Sequence, residues 1–410
     1  MDSIKGIYRI GHGPSSSHTM GPRKAALEFA ERNDDAAHFC VTLYGSLAAT
    51  GAGHLTDVAI LEVLSPIGRT EIVWKPETFL PFHPNGMLFE AFDKEEKVME
   101  SWTIYSIGGG TLANENSLAT ALASDSVYKF EHITDIMDWC NKYGTSYWEY
   151  VERNEGEEIW DYLAQVWTVM QQGIRRGLET DGVLPGGLGV RRKAGDYLIR
   201  SSGYSDAMKS RGLVYAYALA TSEENAAGGE IVTAPTCGSS GVLPSVIYHL
   251  QQTRNFSQAR ILRALATAGL FGAVVKHNAS VSGADVGCQG EVGVACAMAA
   301  AAATQLFGGT MAQIEYAAEM GLEHHLGLTC DPICGLVQIP CIERNAYAAA
   351  RAMDANIFAT YSDGRHRVSF DRVVEVMRET GHDIPSLYKE TSGGGLAKGK
   401  LLISDQTEVY

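Results

Sequence analysis

Positive charge is in short supply in this chain. Lys and Arg number 33 against 48 Asp and Glu, for a formal net charge of −15. So acidic a surface is a poor match for nucleic acid or an anionic membrane, and neither is expected as a partner. Cysteine is also sparse: eight in 410 residues, too few for a disulfide scaffold. No apolar run reaches the roughly 18 residues that a membrane span requires, so none is expected. The opening M-D-S-I-K-G-I-Y-R-I holds no apolar h-region, so no signal peptide is expected either. A reducing cytoplasm with free thiols is the default expectation, and no internal repeat stands out. Apolar residues, by contrast, make up 45% of the chain, ample for a core and for two domains. Forty-four glycines point to many tight turns and close backbone approaches.

The two halves differ in pattern. Residues 20–32 have helical periodicity after G-P-S-S-S-H-T, with Pro22 suited to a first turn. Runs at 39–47, 57–64, 71–74, 87–92 and 98–107 alternate partly and favour β-branched or aromatic residues, which predicts strands. Gly108 to Gly110 close the last of them. These features predict a compact α+β domain over residues 1–150. Beyond about 155 the pattern turns helical, broken by L-P-G-G-L-G, A-A-G-G-E and T-A-P-T-C-G-S-S-G. Residues 264–275 and 293–307 are apolar nearly all round, as in buried helices. An all-α domain over 151–410 is the expectation, with the junction near 145–155 and a hinge at Asn154-Glu155-Gly156.

Chemistry concentrates between Ser280 and Asn345. Cys288 lies in V-G-C-Q-G-E, Cys330 in G-L-T-C-D-P and Cys341 in Q-I-P-C-I-E-R-N, beside small, turn-forming or polar residues. Thiolates suit zinc, copper(I) or iron–sulfur clusters. Buried cysteine is also a common small hydrophobe, and the spacings here are no general metal signature. Cys296, in an alanine-rich run, reads as a packing residue. Zinc on Cys330, Cys334 and Cys341 is a rival reading. At the other end, Ser15, Ser16, Ser17, His18 and Thr19 precede a helix; they serve either as caps or as a site for a substrate carboxylate or phosphate. His54 closes the glycine-rich segment G-S-L-A-A-T-G-A-G-H.

Taken together, G-P-S-S-S-H-T-x-G-P, G-S-L-A-x-T-G-x-G-H-x-T-D, T-A-P-T, H-N-A-S-x-S-G-A-x-V-G-C-Q-G-E-V-G-V-A-C, H-x-L-G-L-T-C-D-P and P-C-I-E-R-N-A occur in that order. The chain thereby resembles the iron–sulfur L-serine dehydratase (L-serine ammonia-lyase) family in its single-chain form, over nearly its whole length. The resemblance implies a β-type N-terminal and an α-type C-terminal domain. It implies a [4Fe-4S] cluster on Cys288, Cys330 and Cys341, no pyridoxal phosphate, and conversion of L-serine to pyruvate and ammonia. Three thiolates leave one iron open as a Lewis acid for the departing hydroxide. A base must then take the Cα proton. His54 is the first choice because histidine titrates near neutral pH, followed by His18 and then His277. Lys276 and Asn278 are candidate substrate contacts, beside Ser15 to Thr19. Gln289, Glu291, Glu343 and Arg344 either orient the ligand loops or pair at the surface.

Two departures from the family pattern stand out. T-A-P-T continues as C-G-S-S-G, placing Cys237 where Asn is more usual, which bears on substrate choice. Some single-chain members end in a cysteine that occupies the open iron; here the closing residues are D-Q-T-E-V-Y, so no such self-ligand is expected. L-cysteine or L-threonine as substrate, and a non-catalytic amino-acid or redox sensor, are the alternatives. A homodimer is the expected assembly.

Overall fold

A computed structural model describes residues 1–107, 109–114, 126–391 and 393–398. Gly108, Ser392 and the closing D-Q-T-E-V-Y stretch lie outside the described residues. The chain divides into two compact units. One comprises His12–Ser124, the other Met1–Gly11 with Asp125–Tyr410. The break expected at 145–155 thus lies earlier, and the first eleven residues group with the helical half.

The opening strand β1 (Ile10–His12) pairs with a strand from the helical half, described below. In the smaller unit, α1 (Gly21–Arg32) leads to β2 (His38–Tyr44), α2 (Gly45–Thr50), α3 (Thr56–Leu64), β3 (Arg69–Lys75), β4 (Gly86–Phe92), β5 (Val98–Ser106) and β6 (Leu112–Ala113). The sheet order is β3-β2-β4-β5-β6. Only β2 and β3 run parallel, joined by the α2–α3 crossover; the other pairings are antiparallel. Helix α1 lays Phe29 on the sheet, against Phe39, Phe89 and Trp102 at ring separations of 6.1, 5.4 and 6.1 Å. One predicted strand is wrong: residues 57–64 are helix α3. The segment V-A-I-L-E-V-L is rich in branched residues, but its first turn is fixed by tertiary bonds. The Thr56 hydroxyl donates to the His18 carbonyl at 2.5 Å.

The larger unit is helix-rich, as expected, with one short strand that the all-α expectation omits. Its elements are α4 (Ile133–Tyr143), α5 (Tyr147–Glu155), α6 (Glu158–Glu179), α7 (Ala194–Ser201), α8 (Asp206–Ala226), β7 (Glu230–Val232), α9 (Val242–Arg254), α10 (Gln258–Asn278), α11 (Gly283–Val286), α12 (Val292–Leu306), α13 (Met311–Glu323), α14 (Cys341–Tyr361) and α15 (Phe370–Asp383). Strand β7 is the partner of β1. Next to that pair, Arg9 N–H donates to Thr233 Oγ1 at 2.9 Å and Thr233 N–H to the Arg9 carbonyl at 2.9 Å.

Helix α12 is the axis of this unit. Its sequence V-G-V-A-C-A-M-A-A-A-A-A-T-Q-L is buried at all but one position, packed by α9, α10, α13 and α14. Small side chains let these helices approach closely. A Cβ at Gly321 of α13 would lie 2.9 Å from the Cα of Ala297. Helix α10 is long and apolar enough to cross a membrane by length and composition, yet most of it is buried in this core. The N-terminal segment packs on the same helix. Gly269 and Gly272 leave room for Tyr8 and Ile7, which a Cβ would meet at 2.8 and 3.2 Å. The Tyr8 hydroxyl donates to the Leu265 carbonyl at 2.7 Å.

Helix α6 offers a matched pair of tests. A Cβ at Gly177 would lie 2.7 Å from the Cα of Ala220 on α8, whereas one at Gly173 meets nothing nearer than 3.7 Å. Gly173→Ala is expected to raise stability by up to about 1 kcal/mol through helix propensity. Gly177→Ala is expected to lower it by about 1–3 kcal/mol through overpacking. Thermal unfolding followed by circular dichroism checks both signs.

Candidate functional site

The three predicted cysteines are all buried, each placed by a different local device. Cys288 sits in the tight turn Gly287–Gln289 between α11 and α12. Gly287 has φ 74°, and a Cβ there would lie 2.6 Å from the Leu328 carbonyl, so the turn requires glycine. Gln289 locks the turn: its Oε1 accepts from Gly327 N–H at 2.9 Å and from Thr380 Oγ1 at 3.1 Å. Cys330 lies in a loop held on both sides. Its N–H donates to the Tyr388 carbonyl at 2.8 Å, and its own carbonyl accepts from Thr391 N–H at 3.2 Å. Arg344 braces that loop by donating to the Thr329 carbonyl at 2.6 Å, with Asp331 3.8 Å away. Cys341 is the first residue of α14. Asn345, one turn on, donates to the Cys341 and Gly238 carbonyls at 2.9 and 2.7 Å and accepts from Gly241 N–H at 2.9 Å. This ties the T-A-P-T-C-G-S-S-G loop to the Cys341 helix.

Glu291 joins these pieces. Cys288 Sγ and Cys330 Sγ donate to Glu291 Oε2 at 3.7 and 3.8 Å. The three ligand atoms lie within 4.8 Å of one another. Thr236 Oγ1 donates to Glu291 Oε1 at 2.8 Å. Gly283 is needed beside them, because a Cβ would fall 2.6 Å from Glu291 Oε2 and 3.0 Å from Cys330 Sγ. Hydrogen bonding with Cys288, then burial, pushes the Cys330 thiol well above its usual range. Burial, then the neighbouring Cys288 and Glu291, does the same to Cys341. Burial likewise raises the Glu291 carboxyl. Burial is the shared cause, and a cation among them reverses it. Two soft thiols and one carboxylate, with Cys341 near enough to feel the charges of Cys288 and Glu291, are a donor set compatible with a metal ion or an iron–sulfur cofactor.

Cys334 does not join this group among the described residues. It is exposed on the turn Ile333–Gly335, which removes the ground for zinc on Cys330, Cys334 and Cys341. Cys296 is fully buried in α12, with its thiol pushed up to about 12 by burial, as expected of a packing residue. Cys237 is buried in the Thr236 loop. Glu343 pairs with Lys193 at 2.8 Å on the exposed side of α14.

The smaller unit brings together a second set. Ser15 Oγ accepts from His18 N–H at 3.1 Å, and Ser17 Oγ meets His18 Nδ1 at 2.8 Å. His18 Nε2 meets Ser46 Oγ at 3.1 Å. Thr19 Oγ1 donates to the His54 carbonyl at 2.6 Å. The hydroxyls of Ser15, Ser17 and Thr19 therefore bond within this segment and to its two histidines. Ser16 is buried in the short helical turn Ser16–Met20 that runs into α1. The two imidazoles lie 4.7 Å apart and tilted by 44°. Both are buried. Burial, reinforced by His54, holds His18 well below the usual histidine range; burial lowers His54 to about 4. Both ring nitrogens of His18 are engaged. His54 Nδ1 is buried and has no hydrogen-bond partner among the described residues.

Lys276, His277 and Asn278 lie in the last turn of α10. The charges nearest Lys276 are those of Arg9 and Asp2. Asn278 Nδ2 donates to the Glu131 and Val274 carbonyls at 2.6 and 3.0 Å. His277 pairs with Glu131 at 3.1 Å. Sequence reasoning left Glu291 undecided and did not single out Thr236, Asn345, Ser46 or Gly283. A carboxylate three residues after Cys288, across a glycine, was the available signal for Glu291.

Against known proteins, the serine dehydratase beta chain family matches residues 3–67, and the serine dehydratase alpha chain family matches residues 87–397. The chain is 42% identical to L-serine dehydratase TdcG of Escherichia coli K12, across 97% of this chain and 99% of that protein. It is 41% identical to an L-serine dehydratase of Streptomyces coelicolor, across 96% and 98%. A Helicobacter pylori L-serine dehydratase is 36% identical across 97% and 98%. The chain belongs to the serine dehydratase family, with its beta and alpha parts fused. The alpha match begins inside β4, so the family boundary and the compact units do not coincide.

The buried histidines set a pH dependence. Unfolded, His54 takes up its proton near pH 6.5; folded, near pH 4. The stability it contributes is present above pH 6.5 and is lost as pH falls toward 4. The loss between pH 7 and pH 5 is about 2 kcal/mol. Urea unfolding at the two pH values, in wild type and in His54→Gln, is expected to show a smaller acid loss in the variant.

Proposed function

We propose that this chain is an L-serine ammonia-lyase that dehydrates and deaminates L-serine to pyruvate and ammonia with a [4Fe-4S] cluster held by Cys288, Cys330 and Cys341. The observation that carries this reading is the convergence of buried thiols on Glu291 in a chain of the serine dehydratase family. When bound, such a cluster supplies an iron without a protein thiolate, a Lewis acid for the hydroxide leaving Cβ. Helix α14 starts at Cys341 and α12 starts directly after Glu291, so both direct their N-terminal dipoles toward anionic ligands. Arg344 and Gln289 hold the Cys330 and Cys288 loops in place.

His54 takes the Cα proton on Nδ1. Two features support it over His18. Its Nδ1 is partnerless, and Thr19 fixes the backbone that carries the ring. Held neutral by burial, it starts the reaction as a base. His18, anchored by Ser17 and Ser46, packs beside it and sets its orientation. The aminoacrylate left after loss of water tautomerises to an imine, and hydrolysis gives pyruvate and ammonia. The free thiols suit a reducing cytoplasm, and a homodimer is the assembly proposed.

Two variants test this. Cys330→Ala, purified without oxygen, is expected to lose its iron and all pyruvate formation; turnover at the wild-type rate removes Cys330 from the ligand set. His54→Ala is expected to keep its iron and visible spectrum while kcat falls by about 10²–10⁴. An unchanged kcat assigns the base elsewhere.

A further inference from the structure

A cavity of about 150 Å³ opens between the last turn of α10 and the N-terminal segment, lined by Asp2, Ser3, Ile7, Ala273, Lys276 and His277. We propose that it is a second small-molecule site, apart from the thiols, that takes the carboxylate of a small monoacid. This goes beyond the lyase reading and does not depend on it.

The first ground is an unsatisfied cation. Lys276 is half-buried, and its ammonium forms neither a hydrogen bond nor an ion pair with any described residue. It packs over Gly6, where a Cβ would lie 3.3 Å from Nζ. Half-burial strips part of its hydration, and a bound anion offsets that cost. Burial, with Arg9 close by, accordingly lowers the Lys276 pKa.

The second ground is shape. The volume is that of about five waters, too small for a nucleotide or sugar phosphate and adequate for an acid of two or three carbons. Ile7 and Ala273, both buried, form an apolar wall for the short carbon end. Asp2 also lines the cavity, and its charge reaches Lys276.

The third ground is rigidity. Ser3 Oγ and Ile4 N–H donate to Glu155 at 2.7 Å each, and the Met1 amino group donates to the Tyr128 carbonyl at 2.9 Å. The wall facing Lys276 is thus fixed before any ligand arrives, which lowers the ordering cost of binding. Helix α10 passes through Ala279–Ser282 into α11 and the Cys288 turn, so a ligand on Lys276 grips the helix end that leads to the thiol loop.

Isothermal titration calorimetry with glycine and with pyruvate tests the proposal. The protein is the full chain, both intact and as Cys330→Ala, in which any binding that needs the cluster is gone. At least one probe is expected to bind Cys330→Ala at one per chain. Lys276→Gln is expected to weaken that binding at least tenfold in both backgrounds. Ala273→Leu, which fills the cavity and leaves the charges alone, is expected to do the same, and decides the matter if Lys276→Gln does not fold. Asp2→Asn separates the ligand classes: loss of glycine binding alone marks an amino-acid site, and pyruvate binding that survives marks a simple carboxylate site. Absence of binding by either probe to Cys330→Ala and to the intact chain, or equal binding with and without Lys276 and the open cavity, overturns it.

Discussion

Three thiols buried around one carboxylate can be satisfied in two ways: all protonated, or bound to a cation. Water is too scarce at Cys288, Cys330 and Cys341 to solvate thiolates. Protonated, Cys288 and Cys330 donate to Glu291 Oε2 at the long distances of 3.7 and 3.8 Å. A metal or cluster turns the same crowding into affinity, because it lowers every pKa that burial raises. Much of the larger unit follows from this constraint. The three cysteines come from a turn, a loop and a helix start, and each needs its own brace: Gln289 for the turn, Arg344 and the 388–391 segment for the loop, Asn345 for the helix. Helix α12, sheathed on all sides, gives these pieces a common base.

The second chemical group obeys the opposite rule. Burial near His18 and His54 removes a charge rather than demanding one. Neutral imidazoles are useful only if one nitrogen stays free. Ser15, Ser17 and Thr19 spend their hydroxyls on His18 and on the backbone of His54. His54 Nδ1 is left without a partner among the described residues. That division of labour gives the family motif a physical meaning: it is a scaffold for two histidines as well as a helix start.

Much of this was legible in the sequence. Cys288, Cys330 and Cys341 stood out because turn-forming and polar neighbours mark a cysteine that is not simply packed. Cys296, in a run of alanines, lacked those neighbours and is indeed packed. Apolar runs without a polar face located α10 and α12. Other features depend on contacts far apart in sequence. Residues 57–64 favour a strand locally, yet Thr56 is held by the His18 carbonyl and the segment coils into α3. Residues 1–11 group with the helical half because Ile7 and Tyr8 fit over Gly272 and Gly269, more than 250 residues away. The role of Glu291 was undecided because its partners, Thr236 and Cys330, are distant in the chain. Cys334 looked like a ligand by proximity in sequence, but its turn directs it to the surface.

The most direct test is made without oxygen: count iron and sulfide per chain, then add L-serine and follow pyruvate. The account predicts four irons and four sulfides per chain, with pyruvate formed at once. A well-folded chain that carries zinc or no metal, or one that carries the cluster and leaves L-serine unchanged, contradicts it.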